Sequence, residues 1–144
     1  METSSSNDDH QLPEVGDVVA FEYLWKDESD QGRVEGIKTR PCVVVSVGSG
    51  PRIVLMPITS QDPGELPAVR LSGNVLVNIG LTRPSWIMIS EVNVSDWPGF
   101  DFRHAHPPVG GWWRYGRLAD KLLEQVIDSF QTAISSKNLR VVKR

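Results

Sequence analysis

Two neighbouring runs decide how this chain folds: Thr39-Arg40-Pro41-Cys42-Val43-Val44-Val45-Ser46 and Ile53-Val54-Leu55-Met56-Pro57-Ile58-Thr59-Ser60. Each holds a nearly unbroken apolar stretch of strand length, rich in β-branched residues. Between them Gly48-Ser49-Gly50-Pro51 has the composition of a hairpin turn. As antiparallel neighbours, the runs bring the end of the second beside the start of the first. Arg40 and Thr59 then share one rim of the sheet, with Ser60 next to them. A fixed cation beside hydroxyls suits an anionic, phosphate-like group. Short motifs are weakly specific, however, and the spacing alone favours a structural reading. On that reading Arg40 is a solvated strand-end charge and Thr59-Ser60 merely begins a turn.

Outward from the hairpin, Val15-Gly16-Asp17 launches a first strand over 18–23. A long polar loop over 24–39 follows and carries Glu35 and Lys38; connections of that length are usually functional or mobile. Beyond the hairpin, residues 68–71, 76–79, 86–89 and 92–94 are short β-prone runs, broken by Pro63-Gly64-Glu65, Thr82-Arg83-Pro84 and Trp97-Pro98-Gly99. Strands this short and close predict a small barrel or a strongly curled sheet. Residues 100–115 are irregular and rich in Pro, Gly and aromatics. Leu118, Leu122, Leu123, Val126, Ile127, Phe130 and Ile134 then fall on one face at helical spacing. The expected fold is mainly β (α+β), with residues 1–14 a disordered leader, 15–138 a single domain and 139–144 a solvated basic tail.

A chain of 144 residues can bury a core without staples. Its net charge of −3 argues against coating nucleic acid by bulk electrostatics but leaves room for a local basic site. Lone Cys42 reads as a core residue, and no zinc spacing or other metal motif occurs. His104 and His106 form a His-x-His pair with no third ligand at suitable spacing. No signal peptide or membrane-length apolar run is present, so a cytoplasmic location is expected. Trp112-Trp113 on one strand would face opposite ways, exposing one ring or placing it in a dimer contact.

In its ordered motifs the chain resembles the MazF/PemK/Kid family of type II toxin–antitoxin growth inhibitors. The resemblance runs through Gly16-Asp17-Val18-Val19, then Arg40-Pro41-Cys42-Val43-Val44-Val45, then Pro57-Ile58-Thr59-Ser60. Gly80-Leu81 with Ser85-Trp86-Ile87, Asp96-Trp97 and the C-terminal helix continue it. It implies an SH3-like small β-barrel, usually a homodimer, neutralised by a small cognate antitoxin. It also implies a metal- and cofactor-independent endoribonuclease that cuts single-stranded RNA by 2′-hydroxyl attack.

On this resemblance Arg40 clamps the phosphate oxygens, and Thr59 hydrogen-bonds the scissile phosphate or orients the attacking group. Ser60, Lys38 and Glu35 complete the expected substrate-binding set. Some relatives carry an Arg-x-Asp pair where this chain has Met88 and Ser90, so that acid–base pair is missing. Glu91 is adjacent but faces the other way on a regular strand. Glu35 and Lys38 are the residues left for proton transfer, though a surface-charge role suits each better. The alternative is a non-catalytic relative, either a CcdB-like gyrase inhibitor or an inactive partner-binding member.

Overall fold

The computed structural model describes residues 12–36 and 38–144, so most of the expected leader lies outside the described residues. Its last part is in place: the Glu14 backbone N–H donates to Asp17 Oδ2 at 2.8 Å, which fixes the approach to the first strand.

Three strands form the centre of the sheet: β1 (Asp17–Glu22), β2 (Thr39–Gly48) and β3 (Arg52–Thr59). As expected, β2 and β3 are an antiparallel hairpin, in the register Cys42 opposite Pro57 and Gly48 opposite Arg52. One extra residue in β2 between Val44 and Ser46 shifts that register, and a bulge of this kind raises local twist. The outer edge of β3 is divided. Its start pairs with β6 (Glu91–Asp96), and its end pairs with β5 (Ser85–Met88), which continues to β4 (Ala68–Leu71). On the other flank β1 pairs with β7 (Arg114–Arg117). The sheet therefore curls, giving a mostly β molecule with three helices among the described residues: α1 (Lys26–Asp30), α2 (Asn74–Asn78) and α3 (Asp120–Ser135). None of them is long and apolar enough to cross a membrane.

The unbroken apolar runs arise because β1, β2 and β3 are buried on both faces. Val18, Val43, Met56 and Ile58 pack with Val126 and Phe130 of α3. Val19, Phe21, Cys42, Val44 and Leu55 pack with Phe102 and Trp113. Burying a side chain such as Val126 or Phe130 contributes about 1.5–3 kcal/mol. The predicted helical stripe holds through Phe130, whereas Ile134 is half exposed and Ala133 is buried instead.

Two expectations are corrected. The run at 76–79 is not a strand, because residues 74–78 form α2 between Gly73 and Gly80, with Leu76 turned into the core. A Cβ on Gly116 of β7 would collide with the Asn78 carbonyl oxygen, so α2 is seated by the absence of a side chain there. The basic tail is not a solvated terminus either. Residues Arg140–Lys143 form β8, parallel to β6, with Val142 buried. The Arg144 side chain, 3% exposed, donates to the Glu22 carbonyl and Asn93 Oδ1 and pairs with Asp101 at 3.1 Å.

Candidate functional site

The register of the hairpin, carried two residues past the Cys42–Pro57 pair, sets Arg40 opposite Thr59 at one rim. There Lys38, Arg40 and Ser60 meet Thr82, Arg83 and Ser85 in an open cleft of about 230 Å³. Its apolar floor comes from Pro41, Ile58 and Leu81. Among the described residues three cations and four hydroxyls, Thr39 included, line the cleft, and no carboxylate or imidazole does. Such a lining favours an anion that accepts several hydrogen bonds. Arg40 is half-buried, and loss of solvent pulls its pKa down, an effect opposed by Cys42, Glu28 and Tyr23. Among the described residues its guanidinium has no salt-bridge partner. Guanidinium nonetheless remains protonated in proteins, so the half-buried cation is available to a ligand.

A chain of aromatic contacts holds Arg40. Its guanidinium lies 5.1 Å above the Trp25 ring, and Trp25 meets Tyr23 edge-on at 5.1 Å. Tyr23 in turn donates its hydroxyl to Glu91 Oε2 at 3.2 Å. The same oxygen accepts the Lys26 backbone N–H at 2.7 Å, satisfying one of the free donors that open α1. Burial pushes the Glu91 carboxyl up, while those two hydrogen bonds and Arg140 pull it back. Glu91 thus points away from the cleft and into this support. Burial also drives the Cys42 thiol well up, consistent with a core residue rather than a nucleophile.

Of the residues singled out in the sequence, Arg40, Lys38 and Ser60 come together. Thr59 sits at the same rim but opens on the other side. It is buried, its Oγ1 accepts the Gln61 backbone N–H at 3.1 Å, and it lines a second groove with Trp25 and Met88. Glu35 does not join either set. It borders a shallow groove with Gly32, Arg33 and Val34, and its charge acts on Asp101 beside Arg144. His104 rests against the Trp112 ring at 4.9 Å, within the aromatic cover of the sheet. Trp113 is fully buried and Trp112 half-buried, and both lie in the turn before β7 rather than on a strand.

Sequence reasoning missed Thr82 and Arg83 as cleft residues. In the sequence their segment reads only as a strand break, and the adjoining Gly80-Leu81-x-x-x-Ser85 motif, part of the resemblance, is the one signal next to them. No protein-family model matches this sequence, and no curated protein matches it either.

Proposed function

We propose that the protein is the toxin of a type II toxin–antitoxin pair, an SH3-like barrel of the MazF/PemK/Kid kind that cleaves single-stranded RNA at the Arg40 cleft. The observation that carries this reading is the cleft lining: Lys38, Arg40 and Arg83 with Thr39, Ser60, Thr82 and Ser85, and no acid among them. In the proposed reaction the ribose 2′-oxygen bonds to the adjacent phosphorus and the bond from phosphorus to the 5′-oxygen breaks. The products are a 2′,3′-cyclic phosphate and a 5′-hydroxyl. Arg40 and Arg83 carry the charge that builds on the phosphate oxygens. Among the described residues Lys38 is the one titratable group of the lining besides the arginines. It is therefore the donor available to the departing 5′-oxygen, and solvent takes the 2′-hydroxyl proton. On this reading the chain works with a second copy of itself and is silenced by a small antitoxin.

A second reading keeps the cleft and drops the chemistry. Among the described residues the lining holds no carboxylate or histidine to act as a base, and this favours a relative that binds without cutting. Incubation with single-stranded RNA in the presence of a chelator separates the two. New 5′-hydroxyl and cyclic-phosphate ends are expected, falling by about 10²–10³ in Arg40→Ala. Intact RNA that still binds in an Arg40-dependent way would establish the second reading. RNA neither bound nor cut would sink both.

A further inference from the structure

The second groove at this rim, about 280 Å³, has a different lining from the cleft. Trp25, Leu66 and Met88 give it apolar walls, and Thr59, Gln61 and Asp62 give it a polar edge. The two sites touch through one side chain. The Arg40 guanidinium borders the cleft and also lies 5.1 Å above the Trp25 ring that walls the groove. They also share a backbone step, since Thr59 lines the groove and Ser60 the cleft. A ligand with a flat aromatic part joined to a phosphate would span them, and that is the form of a nucleotide.

The polar edge sorts the bases. Asp62 Oδ1 already accepts the Gly64 backbone N–H at 2.9 Å, but a carboxylate has about four acceptor positions. The exposed Gln61 side-chain amide offers a donor beside it. Guanine presents two adjacent N–H donors, N1–H and the N2 amino group, next to the O6 acceptor. Adenine and cytosine each offer a single amino donor beside a ring acceptor, and uracil offers one N–H between two carbonyls. Only guanine can meet a carboxylate twice and an amide donor once.

Resting on the reading of the cleft as an RNA phosphate site, we propose that this groove is a guanine-selective nucleobase site. Trp25 stacks the base, Asp62 accepts from N1–H and N2–H, Gln61 donates to O6, and Arg40 holds the adjoining phosphate.

Isothermal titration of the full chain with the four nucleoside 3′-monophosphates tests the proposal. Guanosine 3′-monophosphate should bind about tenfold or more tighter than the other three. Asp62→Asn, at an exposed position, should erase that preference and leave binding of inorganic phosphate unchanged. Arg40→Ala should weaken all four nucleotides. Equal affinity for the four, or a guanine preference that survives Asp62→Asn, would overturn the proposal. Single-stranded RNAs with and without guanine separate its fate from that of the nuclease. Guanine-selective binding without cleavage upholds the base site and removes the nuclease. Cleavage indifferent to guanine does the reverse.

Discussion

The two faces of the central strands are covered in different ways. On one side Val18, Val43, Met56 and Ile58 meet α3, a regular element that satisfies most of its own backbone groups. On the other, Val19, Phe21, Cys42 and Leu55 meet the irregular stretch that carries Phe102 and Trp113. That stretch must place its backbone groups one at a time: Arg103 N–H on the Ala20 carbonyl at 2.8 Å, and Ala105 N–H on the Trp112 carbonyl at 2.7 Å. Lacking a repeating surface, it covers the sheet with large rings. Trp97 contacts Phe102, Trp112 and Trp113 at centroid distances of 4.7–6.1 Å. A helix can tile a sheet with many modest aliphatic side chains, whereas a loop depends on a few big ones.

The sharpest way to break this comparison is to truncate one anchor on each side. Trp113→Ala should cost about 3–5 kcal/mol, because the ring is fully buried and its removal leaves a large cavity. Ile127→Ala, in the half-buried part of the helical stripe, should cost less than about 2 kcal/mol. Urea unfolding of both variants decides it, and equal losses would refute the contrast.

A middle-sized effect lies at Glu91, below the aromatic face. Glu91→Ala should cost about 1–3 kcal/mol, since it orphans the Tyr23 hydroxyl and the Lys26 N–H together. Glu91→Gln keeps an acceptor for both. Because burial raises the Glu91 carboxyl, the native state holds its proton more tightly than the unfolded chain does. Its contribution is therefore most favourable below the ordinary carboxyl range and declines as pH rises through the raised value. The stability of Glu91→Gln relative to the parent should grow from acid toward neutral pH, as read from unfolding midpoints. A difference that stays flat with pH would show that burial does not govern this carboxyl. The smallest effect belongs to the helical face, where Ile134→Ser should change stability by no more than about 0.5 kcal/mol, because Ile134 is half exposed.

The same contrast governs how much could be read from the chain. The β2–β3 hairpin and α3 announce themselves by apolar runs, a glycine-rich turn and helical spacing, all local signals. Residues 100–115 announce only irregularity, because their order comes from contacts with distant strands. Strand β8 escaped notice because Arg140, Lys143 and Arg144 flank just two valines, and a parallel partner fifty residues away leaves no local trace. Helix α2 escaped because Val75, Leu76, Val77 and Ile79 form a run too short to separate five helical residues from a strand. Within the cleft, Arg40 and Ser60 were legible from hairpin geometry. Arg83 was not, since it arrives on a third segment. Thr59 had the right rim and the wrong side, a distinction set by the alternation of side chains along β3.

The close seat of α2 on Gly116 has a genetic consequence. Asn78, whose carbonyl faces that glycine, lies just ahead of Gly80, Leu81, Thr82 and Arg83, the segment that supplies one wall of the cleft. Any side chain at position 116 must push that segment outward, although Gly116 itself pairs with Val18 and lines no part of the cleft. A screen for chains that have lost RNA binding at the cleft, the proposed role, but remain folded should therefore return substitutions at position 116 together with those at Arg40. They would look like remote control of the site, but they would be a displaced wall.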